Sequence, residues 1–366
     1  MSAPALFRVR LTLVAVFMLA GCSPVAHVEP SAPSAPQSHA HRAVSSGPLV
    51  NLRGVPFAGS PQAWAAAQRE PQSESSLQRT SAPAATVQPR TIKAWAASVF
   101  VSDFGGPSGT GAVYQFASKK NGKLLGAISD VVNPQGLDTD STGKLWVAST
   151  GNSTIRAYTP GFYTASTVLS DAGEFPVSVA VCPNGTIYGS NAYDVSQLPG
   201  NIEIYAPGAT SPTGVVPDAN IYSARFAACD QNNVLWYSYF DYFFDPNIAS
   251  YDGTNVVEYG SLGLNFPGGI RAANNGTTLA IADQTMSTVD LFTKSNLSGG
   301  PFLKLGKYFS DPVSFSFIKS QLYVWVCDDA KLDAVEETLK GKSPGTLGTG
   351  SLVQPIDSLV FPAGNT

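Results

Sequence analysis

Histidine is almost missing from this chain of 366 residues. There are three, His27, His39 and His41, all close to the N-terminus. Everything after residue 41 therefore lacks imidazole, which excludes His-ligated zinc or copper, Ser-His-Asp hydrolysis and His general-base catalysis there. Charge is scarce as well, at 13% of residues, whereas Gly (34) and Pro (27) are plentiful. That balance favours strands and turns over surface helices. Positive charge is scarcest where most of the chain lies: residues 91–366 hold 15 Lys/Arg against 23 Asp/Glu, while residues 1–90 hold seven Arg and three Glu. An acidic domain repels phosphate backbones, so nucleic acid is not the expected partner.

The chain has an apolar run at residues 11–20, about half the roughly 20 residues that span a bilayer. Arg8 and Arg10 precede it, giving the layout of a signal-peptide core. The run ends in Leu19-Ala20-Gly21-Cys22, which resembles the bacterial lipobox. The resemblance implies a signal peptide over 1–21, acylation of the Cys22 thiol and cleavage just before it. Several acyl chains on one residue would hold the chain stably on a membrane. Ser23 follows the Cys where an inner-membrane retention signal would have Asp. The expected location is thus the bacterial cell envelope, with the outer membrane favoured and the remainder of the chain exported from the cytoplasm.

Residues 22–90 read as a disordered tether. Pro30-Ser-Ala-Pro-Ser-Ala-Pro-Gln37 and the Ser/Gln/Ala/Pro runs near 71–89 cannot bury enough apolar surface to fold. Such a segment has an end-to-end distance on the order of 45 Å.

A repeat then begins. Blade two shows it best: Pro134-Gln-Gly136-Leu-Asp138-Thr-Asp140-Ser-Thr-Gly143-Lys-Leu-Trp146-Val-Ala-Ser-Thr-Gly151-Asn152-Ser-Thr-Ile155-Arg-Ala-Tyr158. The order recurs from Pro176, Ser223, Pro267 and Pro312, at spacings of 42, 47, 44 and 45 residues. Period-two alternation broken by Gly, Asn and Pro is the grammar of strands and hairpins, and a period of 40 to 50 residues is that of a propeller. The pattern resembles the NHL-type repeat. Residues 95–125 carry the later strands of a further unit without its first, and Pro355-Ile-Asp357-Ser-Leu-Val-Phe361 carries a first strand with nothing after it. Joined, they make a sixth blade. The expected fold is all-β: a six-bladed β-propeller over 91–366, closed by the C-terminal strand. Helical periodicity is confined to residues 332–339.

On the innermost strands, the third residue after the Pro-equivalent position (Leu137, Val179, Phe226, Ile270, Phe315, Ser358) is mostly apolar and reads as core. The second (Gly136, Ser178, Arg225, Gly269, Ser314, Asp357) and the fourth (Asp138, Ala180, Ala227, Arg271, Ser316, Leu359) are small or polar and are expected to line the channel. With the closing blade numbered one, Arg225 lies opposite Asp357, and Arg271 lies opposite Asp138 one tier deeper. Two readings stand: the pairs neutralise a plugged channel, or they grip an anionic or zwitterionic ligand. The resemblance to the NHL type implies an innermost strand that runs away from the long-loop face. That would set Arg225 and Asp357 nearer this face, with the loops at 103–111, 191–200 and 240–247. The last follows Trp236-Tyr-Ser-Tyr239-Phe-Asp241-Tyr242-Phe243-Phe244. Its rings either pack on a neighbouring blade or form an exposed binding patch around Tyr242 and Phe243.

Cys182 and Cys229 hold equivalent positions on neighbouring blades. A disulfide between them suits an oxidising periplasm, although inner strands can stand too far apart for one. Cys327 reads as a buried free thiol. Related six-bladed enzymes include calcium-dependent lactonases of the gluconolactonase type, but Asp138 and Asp357 are too few oxygen ligands for that hard cation unless loops contribute. Asp138-Thr-Asp140-Ser-Thr-Gly143 resembles the start of an EF-hand, yet position twelve is Ser149, which makes it a hairpin turn. The expectation is therefore a monomeric, non-enzymatic binding or scaffold propeller without cofactor or metal, recognising a protein, peptide or glycan on the long-loop face. The alternative is a calcium-dependent lactonase-type hydrolase.

Replacing Cys22 by Ser is expected to abolish acylation and move the protein from the detergent to the aqueous phase on Triton X-114 partitioning. Continued partition into detergent would refute the lipobox reading.

Overall fold

Alternating β-branched or aromatic and small residues, cut by Gly, Asn and Asp turns, favour short strands and tight connections. The computed structural model describes residues 95–361 except 96, 106–108, 120, 195–198, 274–275, 319–322 and 343–344. The expected signal peptide, the tether and Cys22 lie outside the described residues.

The strands form six four-stranded antiparallel sheets. Blade two runs outward from β4 (Pro134–Thr139) through β5 (Leu145–Ser149) and β6 (Thr154–Tyr158) to β7 (Thr167–Ser170). Blade three comprises β8 (Glu174–Val181), β9 (Ile187–Asp194), β10 (Ile202–Tyr205) and β11 (Gly214–Val215). Blade four comprises β12 (Ser223–Cys229), β13 (Leu235–Phe240), β14 (Pro246–Tyr251) and β15 (Val256–Gly260). Blade five continues with β16 (Pro267–Ala272), β17 (Thr278–Asp283), β18 (Thr288–Thr293) and β19 (Leu303–Leu305). Blade six has β20 (Pro312–Ile318), β21 (Tyr323–Asp328), β22 (Asp333–Thr338) and β23 (Gly345–Leu347). The helical reading of residues 332–339 is thus corrected: they are mostly the strand β22, whose two edges pair with β21 and β23. Tertiary pairing overrides a local period in so short a window.

Blade one is assembled from both ends of the described chain. Its inner strand is β24 (Pro355–Phe361), followed by β1 (Ser98–Asp103), β2 (Ala112–Ala117) and β3 (Leu124–Ile128). β24 pairs antiparallel with β1 from Ser98↔Phe361 to Asp103↔Pro355. The six inner strands contact one another in the cyclic order β24, β4, β8, β12, β16, β20. The ring is closed, and no inner edge is left to pair with another chain.

Each seam between blades holds its own apolar cluster. Phe100, Leu137 and Tyr158 fill the seam of blades one and two. Val179, Trp146 and Tyr205 fill the next, and Tyr237 with Ala224 the one after. Phe226 and Ile270 join blades four and five, Phe315 and Ala280 five and six, Trp325 and Val360 six and one. The third-tier residues expected in the core are there.

Buried aspartates clasp the connections between blades. Asp103, Asp283 and Asp328 end β1, β17 and β21 and are at most 1% exposed. Each accepts backbone N–H bonds from the segment leading into an inner strand: Asp103 from Val353 and Gln354 (2.6 Å), Asp283 from Asn265 (3.0 Å) and Phe266, Asp328 from Ser310 (2.8 Å) and Asp311. In blade two Ser149 does the same, accepting from Val132 at 2.9 Å. Charge-assisted bonds of this kind are roughly twice as strong as neutral ones.

A disulfide joins Cys182 to Cys229, with Cα atoms 5.0 Å apart, and pins blade three to blade four. Cys327 is buried and free. Replacing Cys182 and Cys229 by Ser together should lower stability by about 4 kcal/mol, the loop-closure value for so distant a crosslink. Chemical denaturation with and without reductant tests this. An unchanged midpoint in both comparisons would show the bridge to be idle.

Candidate functional site

The second tier of the channel is buried and closely packed. Between the inner and second strands of most blades the register slips just after the Pro-equivalent position. The bulge re-aims the second-tier side chains along the ring, toward the next blade. A Cβ on Gly136 would come within 2.6 Å of the Ser178 Cα, and one on Gly269 within 2.7 Å of the Ser314 Cα. Only glycine permits so close an approach. Ser178 Oγ accepts from the Ala227 N–H of blade four at 3.3 Å, and Asp357 Oδ2 from the Leu137 N–H of blade two at 2.8 Å. The residues of this tier, expected to line the channel, are buried and packed against the next blade, a gasket that agrees with the plugged-channel reading.

Below the gasket a cavity of about 590 Å³ opens between the hairpins that join first and second strands. Fourth-tier residues line it as expected, namely Asp138, Arg271, Ser316 and Leu359, together with Phe317 and Phe361. Cys182 and Cys229 form part of its wall. The cavity therefore opens at the end of the propeller opposite the long loops.

Arg271 crosses tiers. Its Nη2 lies 2.9 and 2.7 Å from the two Asp357 oxygens and also donates to the Leu137 carbonyl at 3.2 Å. The partner expected for it, Asp138, lies only within its Coulombic reach. The arginine side chain is long enough to span the bulged tier, and the fully buried Asp357 has the greater need of a counter-charge. Burial raises the Asp357 pKa while Arg271 opposes the rise. Asp138 accepts from the Thr139 N–H (2.8 Å) and, across the seam, from the Val181 N–H (2.7 Å). Burial pushes its pKa up to about 6, against the pull of Arg271.

These carboxylates are too few for calcium, which takes roughly six to eight oxygens. Both Asp357 oxygens face a guanidinium, and both Asp138 oxygens accept backbone N–H groups. Asp140 is occupied as well, holding its own turn through Thr142 N (2.9 Å), Lys144 N (3.0 Å) and Trp146 Nε1 (3.2 Å). The EF-hand-like stretch is indeed a hairpin turn. Among the described residues no group of three or more His, Cys, Asp or Glu is placed to hold a metal.

Arg225 belongs to the second tier, and the aromatic loop lies beyond it, away from the cavity. Arg225, 3% exposed, stacks on Phe240 (5.8 Å) and Phe266 (5.5 Å), and burial lowers its pKa to about 10. Beyond it, Tyr222 makes edge contacts with Tyr193, Tyr242 and Phe244 at centroid distances of 5.8, 5.5 and 5.0 Å. Sequence reading did not single out Tyr222 or Tyr193; both sit at strand–loop junctions, where alternation carries no signal. The rings of blade four divide between the two roles foreseen for them. Trp236, Tyr237 and Tyr239 are buried, whereas Tyr242, Phe243 and Phe244 are 54%, 84% and 48% exposed. The turn holds them out: Asp241 Oδ1 accepts from the Phe243 and Asp245 N–H groups at 2.8 and 3.0 Å. Phe244 sits at φ +63°, a conformation uncommon for a bulky residue and costly unless its surroundings impose it.

No family model matches the chain, and no curated protein matches it in sequence. Solved structures do. A chain of a nidogen/laminin complex is 16% identical with a TM-score of 0.59, over 72% of this chain and 98% of that one. A functionally unknown protein from Desulfotomaculum acetoxidans is 13% identical with a TM-score of 0.53, over 72% and 99%. Kuenenia stuttgartiensis hydrazine synthase is 12% identical with a TM-score of 0.50, over 65% and 82%. The chain is a six-bladed β-propeller. At such identities the likeness shows the fold alone, so the chemistry of this propeller rests on its own residues.

Removing Arg271 should be strongly destabilising, because it leaves the propeller with a buried, uncompensated Asp357. Arg271→Ala is expected to cost about 3–5 kcal/mol at pH 7.5, less at acid pH, where Asp357 can take up a proton. Adding Asp357→Asn to Arg271→Met should recover most of the loss. Urea denaturation reads both, and a loss independent of pH would mean that packing, and not charge, is at stake.

Proposed function

We propose that the chain is a lipid-anchored, NHL-like binding propeller of a bacterial cell envelope, held at the membrane through Cys22. Its long-loop face recognises a protein, peptide or glycan partner. The observation that carries this reading is the aromatic patch of Tyr242, Phe243 and Phe244 around Tyr222, held out by a turn with Phe244 in the left-handed region. An exposed apolar patch costs solubility unless something covers it. Aromatic side chains also supply much of the binding energy at interfaces, and rings beside carboxylates such as Asp241 and Asp245 suit sugars or peptides. The lactonase alternative finds little support, since Asp357 is held by Arg271 and Asp138 alone offers too few oxygens for a hard cation that takes roughly six or more.

Glycan arrays and pull-downs from envelope extracts, made with the full chain and with Tyr242→Ala/Phe243→Ala, test the reading. One ligand should be captured at least ten-fold more weakly by the double variant, the scale of a lost hot spot, while Asp138→Asn keeps it. Identical capture profiles for the two chains would remove the patch from the binding account. Lactone hydrolysis by the purified chain that is abolished by chelation would restore the hydrolase.

A further inference from the structure

The cavity lies at the opposite end of the propeller from the aromatic patch and plays no part in binding at the long-loop face. Its volume, about 590 Å³, falls in the range of small-molecule sites. Buried second-tier residues lie behind it, and it opens between the hairpins that join first and second strands. Leu359, Phe317 and Phe361 give it apolar wall, and Asp138, Arg271 and Ser316 its polar depth.

The charges decide what could occupy it. Arg271 is committed to Asp357, with both carboxylate oxygens within 2.9 Å of one guanidinium nitrogen, so that pair is close to neutral. Asp138 remains. Each of its oxygens accepts one backbone N–H and keeps a further lone pair. At the mouth stand Asp140 and Asp230, and Lys294 is bound to Asp230 at 2.7 Å. The lining thus holds three carboxylates, Asp138, Asp140 and Asp230, and one cation, Arg271, which is paired with the buried Asp357 behind it. An anion entering would be repelled, and a cation would meet an attraction that low polarity strengthens.

The geometry points to a small organic cation as the ligand: a protonated amine whose ammonium meets Asp138 and whose apolar body lies along Phe317, Phe361 and Leu359. The site is independent of the aromatic patch. Its selectivity comes from one carboxylate, as the only other deep anion already has its guanidinium. The charged groups around Asp138 are Arg271, Asp140 and Asp230 in the cavity lining and Asp357, buried beyond the lining against Arg271. Among the three lining carboxylates Asp138 alone has a raised pKa, about 6, those of Asp140 and Asp230 being lowered, so amine binding should strengthen as pH rises through that value.

Isothermal titration of the full chain with benzylamine, benzyl alcohol and benzoate, three probes of one shape and different charge, tests the proposal. At pH 8 benzylamine should bind at least ten-fold more tightly than the other two, and at pH 5 at least three-fold more weakly than at pH 8. Asp138→Asn should erase the preference, and Tyr242→Ala should leave it intact. Should the Asn variant not fold, the pH series on the unsubstituted chain decides. No benzylamine binding, equal binding of the three probes, or a preference that ignores pH or survives Asp138→Asn would overturn it. None of these outcomes depends on whether the aromatic face captures a partner.

Discussion

Closure of the ring by β24 sets the terms for everything else in this domain. A row of twisted four-stranded sheets leaves an unpaired edge at each end unless the last strand returns to the first, and here Asp357 and its neighbours do so against β1. Closure forces six inner strands into a small circle. That crowding explains the glycines at the second tier, the bulges that turn side chains along the ring, and the cavity beneath. Asp357 answers to the same constraint. It belongs to the closing strand, takes an amide from blade two and a guanidinium from blade five, and so ties three blades at the point where the circle is completed.

The period of the repeat, its alternation and the split blade were legible in the chain because they depend on local pattern alone. The fate of each tier was not. Alternation predicts that Gly136 and Asp357 look into the pore, but a bulge adds a residue to one strand and re-aims the side chains beyond it. Bulges arise from the fit of neighbouring backbones, which no single strand encodes. The same limit explains why Arg271 was matched with Asp138 and joins Asp357. The clasping aspartates could have been found: Val-Ser-Asp103, Ile-Ala-Asp283 and Val-Cys-Asp328 close three of the six second strands at one position. A recurrent acid at the end of an apolar strand signals a buried acceptor with backbone donors nearby.

The gasket divides the propeller into two unlike ends. On one side, Arg225 lies against the paired rings of Phe240 and Phe266, below the exposed aromatic loop. On the other, short hairpins stabilised by Asp140 and Asp230 frame a recess on the scale of a metabolite. Charge respects the division, since the buried arginine of one end is wrapped in aromatics and that of the other is balanced by a carboxylate.

The order of strands in blade one has a mechanical consequence. Whatever precedes Ser98 in the chain pulls on β1, which is the second strand of its sheet and is laddered on both flanks, by β24 and by β2. A load arriving there is carried by two rows of bonds, where a load on an outermost strand such as β3 would be carried by one. The chain thus enters the propeller through a strand inside a sheet, which spreads such a load over both neighbours.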